Sequence, residues 1–295
     1  MAAKTDNGLY INGADDKWLD LSNRWRELVK YRSLLKNLVV RDVKARYKNS
    51  LLGILWSLLN PLGLMVVFTI LFTVLGQSGV NRQYPVFILV AIMPWQFFSG
   101  ALMSGTVSIV RSTPLVKKVY FPRELLPLSS LLSNLVHFLL AFIVLVLFLY
   151  LFDLGLTVHA LWVPVILLTQ LIFTLGLVLL LCTFTVFYRD LLLVLDVVLT
   201  AWFFLTPIFY PFDFFGDAAT LFGITFDPAR VMRWLNPMAS IIDSYRTVLW
   251  GVTSSSGAVS MDPLLLLRTL ITSLIIFIIG YGVFLRFEHL FGEKL

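Results

Sequence analysis

Between Arg111 and Pro127 the chain reads RSTPLVKKVYFPRELLP. Lys117, Lys118 and Arg123 alternate there with Val119, Tyr120 and Phe121; Glu124 closes the group, and Pro114 and Pro122 bracket its middle. Cations beside flat rings on a proline-stiffened segment suit contact with a protein surface better than bond-breaking chemistry. A second group, WFFLTPIFYP, ends a long apolar run with Trp202, Phe203, Phe204, Phe209 and Tyr210 around Pro207 and Pro211. Rings at such a break either anchor a helix end among lipid headgroups or line a path along which flat apolar faces slide. A third group lies between Lys30 and Lys48. Lys30, Ser33, Asn37, Arg41, Lys44 and Lys48 recur there at spacings of three and four, opposite Tyr31, Leu34, Leu35, Leu38 and Val39.

Other chemistry is missing. GxxxxGK[ST] does not occur, so no nucleotide is bound in the P-loop manner. His137, His159 and His289 have no metal-ligand spacing, GxSxG is absent, and no metal or catalytic group is expected. Asp196 and Arg268 are the ionisable residues inside apolar runs, a poor supply for proton coupling; each reads as reaching a wet surface, or the two as pairing. A membrane-embedded glycosyl or lipid-phosphate transferase would gather acids or histidines at one membrane face. Here Asp213, Asp217 and Asp227 are spread along a loop.

The elements that position these groups follow from composition. Of 295 residues 59% are hydrophobic, the mean hydropathy is +0.88, and 14% are charged, against about 25% in soluble domains. Most of the chain must therefore face lipid. The single cysteine, Cys182, excludes a disulfide framework. Residues 1–30 are polar and lack the pattern of a cleavable signal. A span needs about 20 apolar residues, and six stretches qualify: 51–75, 85–108, 125–152, 161–187, 191–210 and 263–285. Eleven of the 23 basic residues fall in residues 1–50. Arg111, Lys117, Lys118, Arg123, Arg189, Arg286 and Lys294 lie on the same side, which makes both termini cytoplasmic. The basic helix before the first span is too polar to cross and should lie at the inner membrane surface.

The connection 211–262 is long for a loop. Asp227-Pro228 and Asn236-Pro237 each read as an N-cap followed by proline at the first helical position, and Gly251 as a stop. Two short helices that enter and leave the outer leaflet fit this pattern, carrying Trp234, Tyr245 and Trp250. The fold expected is an all-α integral membrane protein. It has a polar N-terminus (1–29), an amphipathic interface helix (30–50), a six-span domain (51–285) and a cytoplasmic tail (286–295). Within the six-span domain lie the segment 111–124 and the re-entrant region 211–262.

Six segments in order, RDVKARYKNSLLGILWSLLNPL (41–62), IMPWQFFSGALMSG (92–105), LVKKVYFPRELLPLS (115–129), VFYRDL (186–191), FFLTPIFYP (203–211) and LNPMASIIDSYRTVLWG (235–251), resemble the permease subunits of type-2 ATP-binding-cassette (ABC) polysaccharide exporters. That family moves O-antigen, capsular polysaccharide or teichoic acid. The resemblance implies a homodimer in a bacterial cytoplasmic membrane, with two P-loop ATPase subunits on its inner face and ATP and magnesium held by those partners. It implies a coupling helix within Leu115 to Glu124, contacting the ATPase through Lys117, Lys118, Tyr120, Phe121, Arg123 and Glu124. Trp202, Phe203, Phe204, Phe209, Tyr210, Trp234 and Tyr245 become exit-path aromatics. Arg41, Lys44, Arg46 and Lys48 become a cationic rim for the diphosphate of a polyprenyl-linked glycan. The membrane lipid and that glycan are the partners expected, with no nucleic acid. Alternatives are a type-2 ABC permease for a drug or lipid, the embedded transferase, and an ion-coupled carrier, which six spans and scant buried charge disfavour.

Overall fold

The computed structural model describes residues 21–48, 50, 52–74, 83–215, 219–221, 224–252 and 257–295. Most of the expected N-terminal segment 1–29, the connection around Arg82, and Asp217 in the outer loop lie outside them. Among the described residues the fold is helical apart from one antiparallel hairpin, β1 (Ala219–Leu221) against β2 (Ile224–Phe226). Two N-terminal helices, α1 (Leu21–Lys30) and α2 (Arg32–Tyr47), lead to α3 (Trp56–Val74) and α4 (Tyr84–Thr106). The short α5 (Ser108–Arg111) and α6 (Thr113–Lys118) connect to α7 (Leu125–Leu151), α8 (Val163–Phe187) and α9 (Leu191–Leu205). After the hairpin come α10 (Pro228–Leu235), α11 (Pro237–Leu249), α12 (Pro263–Phe287) and α13 (Phe291–Lys294).

Among the described residues, four segments are long and apolar enough to cross a bilayer: Tyr84–Thr106, Leu125–Leu151, Val158–Phe187 and Pro263–Lys294. The other two expected spans are shorter apolar helices, Leu58–Val74 and Leu191–Leu205. The fifth shortens because Pro207 drives Thr206 into extended backbone, at φ −96° and ψ 135°. At 1.5 Å per residue the 15-residue α9 rises about 22 Å, less than the ~30 Å of hydrocarbon. The first is delayed by a 3₁₀ turn, Gly53–Leu55, before α3 starts.

At the centre lies α4, where Val86 to Met93 are all buried. The closest helix pair is α8 with α12. A Cβ on Gly280 would fall 2.0 Å from the Gly176 carbonyl oxygen, and one on Gly176 would fall 2.6 Å from the Phe277 Cα. Two glycines thus let the backbones touch, which favours helix association where apolar burial cannot drive it.

The α2 helix divides as its spacing predicts: Ser33, Asn37, Arg41 and Lys44 are exposed while Leu38 is buried. Its apolar face, however, meets protein. Leu38 packs with Phe121, Phe284 and Phe291. Three side-chain contacts then climb in step along α7. The Ser129 hydroxyl donates to Asp42 (3.2 Å), Arg46 donates to Asn134 Oδ1 (2.9 Å), and the Tyr47 hydroxyl meets His137 Nδ1 (2.7 Å). The helix therefore runs alongside the first half of α7.

Candidate functional site: coupling face, interface helix and aromatic exit

The segment expected to couple to the ATPase splits into an outward and an inward half. Pro114 sits in the first turn of α6, where its missing N–H costs nothing, and the helix ends after Lys118 as Val119 turns extended. Lys117, Lys118, Val119 and Tyr120 are exposed, Tyr120 at 92%. Phe121 turns the other way and is 5% exposed, inside the cluster that holds Leu38 and Phe291. Glu124 is equally buried and accepts from Arg24 at 2.6 Å, and Arg24 also reaches Glu288 at 3.1 Å. Burial works against the Arg24 charge, but Glu288 and Glu124 outweigh it and hold the guanidinium above its ordinary pKa. Arg123 donates to the Glu288 carbonyl and lies 5.9 Å from the Phe291 ring. So Lys117, Lys118 and Tyr120 form a face open to a partner, while Phe121, Arg123 and Glu124 bind this segment to α1, α12 and α13. Arg24 was missed in sequence, because its two partners lie 100 and 264 residues away.

The cationic rim also divides. Arg41 pairs with its neighbour Asp42 at 2.8 Å, and Lys44 and Lys48 are exposed. Arg46 alone turns toward the bundle, to Asn134.

The aromatic cluster expected to line the exit is built on a broken helix. Phe209 stacks on Phe68 (5.4 Å, 6° between planes) and on Phe72 (5.5 Å), and Phe203 lies 6.0 Å from Phe68. Trp202 packs edge-on to Phe98 at 5.2 Å and donates its indole N–H to Asn236 Oδ1 at 2.8 Å. Phe204 is exposed, and the Tyr210 hydroxyl donates to the Phe204 carbonyl at 3.1 Å. Trp234 is also exposed and carries Arg268 over its ring at 4.7 Å. Tyr245 differs from the rest: it is 1% exposed, packed near Phe138 within the main core. The structure thus gathers Trp202, Phe203, Phe204, Phe209 and Tyr210, places Trp234 on the neighbouring α10, and keeps Tyr245 inside.

Two residues hold this arrangement together. Asn236 caps α11 by accepting from the Ala239 N–H, takes the Trp202 donor, and gives its own amide to Thr206 Oγ1 at 2.9 Å. The Asn-Pro signal identified it as a cap, though not as the link to α9. Arg246, on α11 and 4% exposed, donates to the carbonyls of Pro207 and Ile208 and, at 3.4 Å, to that of Tyr210. Its guanidinium lies 3.7 Å over the Phe87 ring. Carbonyls released from the helix by the two prolines thus find donors on the next helix but one. No sequence signal marked this arginine. The Asp227 cap on α10 forms as expected, accepting from the Arg230 N–H. Past α11, Gly251 turns at φ +112°, a conformation suited to glycine. Arg268 donates to the Arg233 carbonyl and to Ser240 Oγ, not to Asp196, and Arg233 pairs with Asp243 at 3.0 Å. Among the described residues no ion pair reaches Asp196, which lies exposed on α9.

Comparison with known proteins decides the family. The description of the ABC-2 type transporter matches residues 33–250. The chain belongs to the ABC-2 type transporter family. Within 225 residues it is 37% identical to the O-antigen export system permease protein RfbA of Myxococcus xanthus, covering 76% of this chain and 83% of that protein. It is 29% identical over 263 residues to the O-antigen export system permease protein RfbA of Klebsiella pneumoniae, covering 89% and 95%. The resemblance carried by the six sequence segments is thereby borne out. As an ABC-2 protein with several long apolar helices, it is a multi-pass membrane permease. The ABC-2 match takes in α2, the α5–α6 segment, the aromatic break and α11. It ends before α12.

Proposed function

We propose that this chain is the channel-forming permease subunit of an ATP-driven exporter. It carries a polysaccharide linked to a polyprenyl diphosphate, such as O-antigen or teichoic acid, across the bacterial cytoplasmic membrane. The observation that carries this reading is the 37% identity to a relative named as an O-antigen export permease. In this reading α3, α4, α7, α8, α9 and α12 cross the membrane, both termini are cytoplasmic, and α10 and α11 are re-entrant on the outer side. The short α9 reaches the surface through the Pro207–Pro211 break, and the half-buried Phe203 and Phe209 mark the outer mouth.

Two copies form the path, and two ATPase subunits dock on Lys117, Lys118 and Tyr120. A glycan is far too polar to cross hydrocarbon. It needs a continuous lined channel and external energy, and processive movement favours many weak contacts over one deep well. Stacked aromatic rings supply such contacts without fixing one sugar. The exposed cations of α2 meet the diphosphate on the cytoplasmic side.

The test is export in cells lacking the native permease. Replacing Phe204 and Tyr210 together with alanine removes ring surface at the mouth while leaving the half-buried Trp202 and its packing in place. Surface glycan should fall strongly with normal membrane levels of permease. Undiminished export would reduce these rings to an interfacial anchor.

A further inference from the structure

A cavity of about 410 Å³ lies where α2, α3, α4 and α7 meet. Arg46 and Tyr47, Trp56 and Asn60, Gln96, and Asn134 with His137 bring polar groups to it from the four helices. Asn134 and His137 lie nine and twelve residues into α7, about 14 and 18 Å along its axis. Polar and charged groups at such depth in an apolar bundle are costly, and they are kept where they line a wet or occupied space.

The character of the cavity selects its occupant. Among the described residues, Arg46 is the one permanently charged side chain that lines it, and no carboxylate does. Arg46 is an exposed residue overall and spends one guanidinium N–H on Asn134, leaving further donors of its fork. Gln96 Nε2 and His137 Nε2 are buried and have no hydrogen-bond partner among the described residues. Tyr47 Oη and His137 Nδ1 share a hydrogen bond at 2.7 Å; where the hydroxyl is its donor, the ring's own N–H is on Nε2. Unmet donors and one positive charge call for an anion rich in acceptor oxygens. Beside the cavity, Trp56 and Leu59 of α3 expose apolar surface, continued by Val66, Val67 and Ile70, where a hydrocarbon chain can lie.

We propose that this cavity seats the phosphate-type headgroup of a lipid, with Arg46 as the counter-charge, His137 and Gln96 as further donors, and the lipid chain along α3. It rests on the export reading and narrows the expected rim from four cations to one. Arg41 is already paired, and Lys44 and Lys48 face outward. A polyprenyl diphosphate and an anionic bilayer lipid share the required chemistry.

The experiment reconstitutes the full-length permease in phosphatidylcholine nanodiscs and titrates a fluorescent polyprenyl diphosphate. Neutral polyprenol, phosphatidylglycerol and inorganic phosphate serve as competitors. Arg46→Ala should weaken binding about tenfold or more, as expected for loss of a charge-assisted contact. Arg46→Lys should retain part of the affinity, Gln96→Leu should weaken it, and Arg189→Ala, an exposed cation between α8 and α9, should match wild type. Competition by phosphatidylglycerol at equal concentration would support the seat and give it to bilayer lipid; its failure to compete would support the seat and give it to the exported carrier. Wild-type affinity in Arg46→Ala would overturn the proposal, as would equal competition by neutral polyprenol or by inorganic phosphate. If Arg46→Ala does not accumulate, unchanged affinity in Gln96→Leu and Arg46→Lys decides against it equally. The assay contains no ATPase, so its failure leaves the export reading intact, and a permease without an ATPase partner leaves the seat intact.

Discussion

Replacing Arg246 with methionine keeps the length and apolar stem of the side chain and removes its donors. In the native structure those donors meet the carbonyls of Pro207, Ile208 and Tyr210, the last at a longer 3.4 Å. Hydrogen bonds to a charged group each contribute about 1.5–3 kcal/mol. Two good bonds therefore give about 3–6 kcal/mol, and the third adds little. The desolvation of the guanidinium is recovered on replacement, which trims the total, so about 3 kcal/mol is expected. That energy holds a local turn, so its loss appears as local opening before global unfolding. At 1.4 kcal/mol per decade, hydrogen exchange at Ile208, Phe209 and Tyr210 should accelerate roughly 100-fold. Exchange within α8 should change far less. Arg246→Lys keeps the charge but cannot span two carbonyls, and should fall between the two. Exchange at residues 208–210 that is the same in Arg246→Met and wild type would refute the view that α11 fastens the aromatic break.

Two further predictions separate roles that look alike in sequence. Phe121→Ala, in the cluster under the coupling segment, should destabilise the fold by about 3–5 kcal/mol. Tyr120→Ala, with the charge reversals Lys117→Glu and Lys118→Glu, should leave thermal stability near wild type yet lower recovery of an ATPase in pull-down; equal stability loss for Tyr120 and Phe121 would contradict the split. Gly280→Leu should prevent the α8–α12 contact and strongly reduce accumulation in the membrane, since its Cβ meets backbone rather than a flexible side-chain end. Gly282→Leu, with nothing within 4 Å of its Cβ, should accumulate normally, and a matching loss there would remove the argument from close approach.

What could be read in the sequence depended on how local the cause was. The Asp227-Pro228 and Asn236-Pro237 caps formed with α10 and α11 starting at the prolines, because a cap and its N–H partner are three residues apart. The polar face of α2 was legible for the same reason. Periodicity could not tell that its apolar face meets α7 and the Phe121 cluster, since protein and lipid are equally apolar neighbours. Nor could it separate Tyr120 from Phe121: consecutive residues just past the end of α6 point opposite ways only once α12 and α13 supply a wall. The Pro207–Pro211 break was evident, but its answer, Arg246, sits more than thirty residues away. Span length was overestimated where apolar composition continued past the helix end: α9 stops at Leu205, before Thr206 and Pro207.

The central claim is that this chain is a transport subunit driven by a separate ATPase, and co-purification tests it most directly. The tagged full-length permease is extracted from its native membrane under mild conditions, and stoichiometric partners are identified by mass spectrometry. The account predicts a P-loop ATPase at about one copy per permease, lost on combining Lys117→Glu with Lys118→Glu, and hydrolysis that rises with lipid-linked glycan. Repeated extractions with the permease assembly intact and no ATPase present would contradict it.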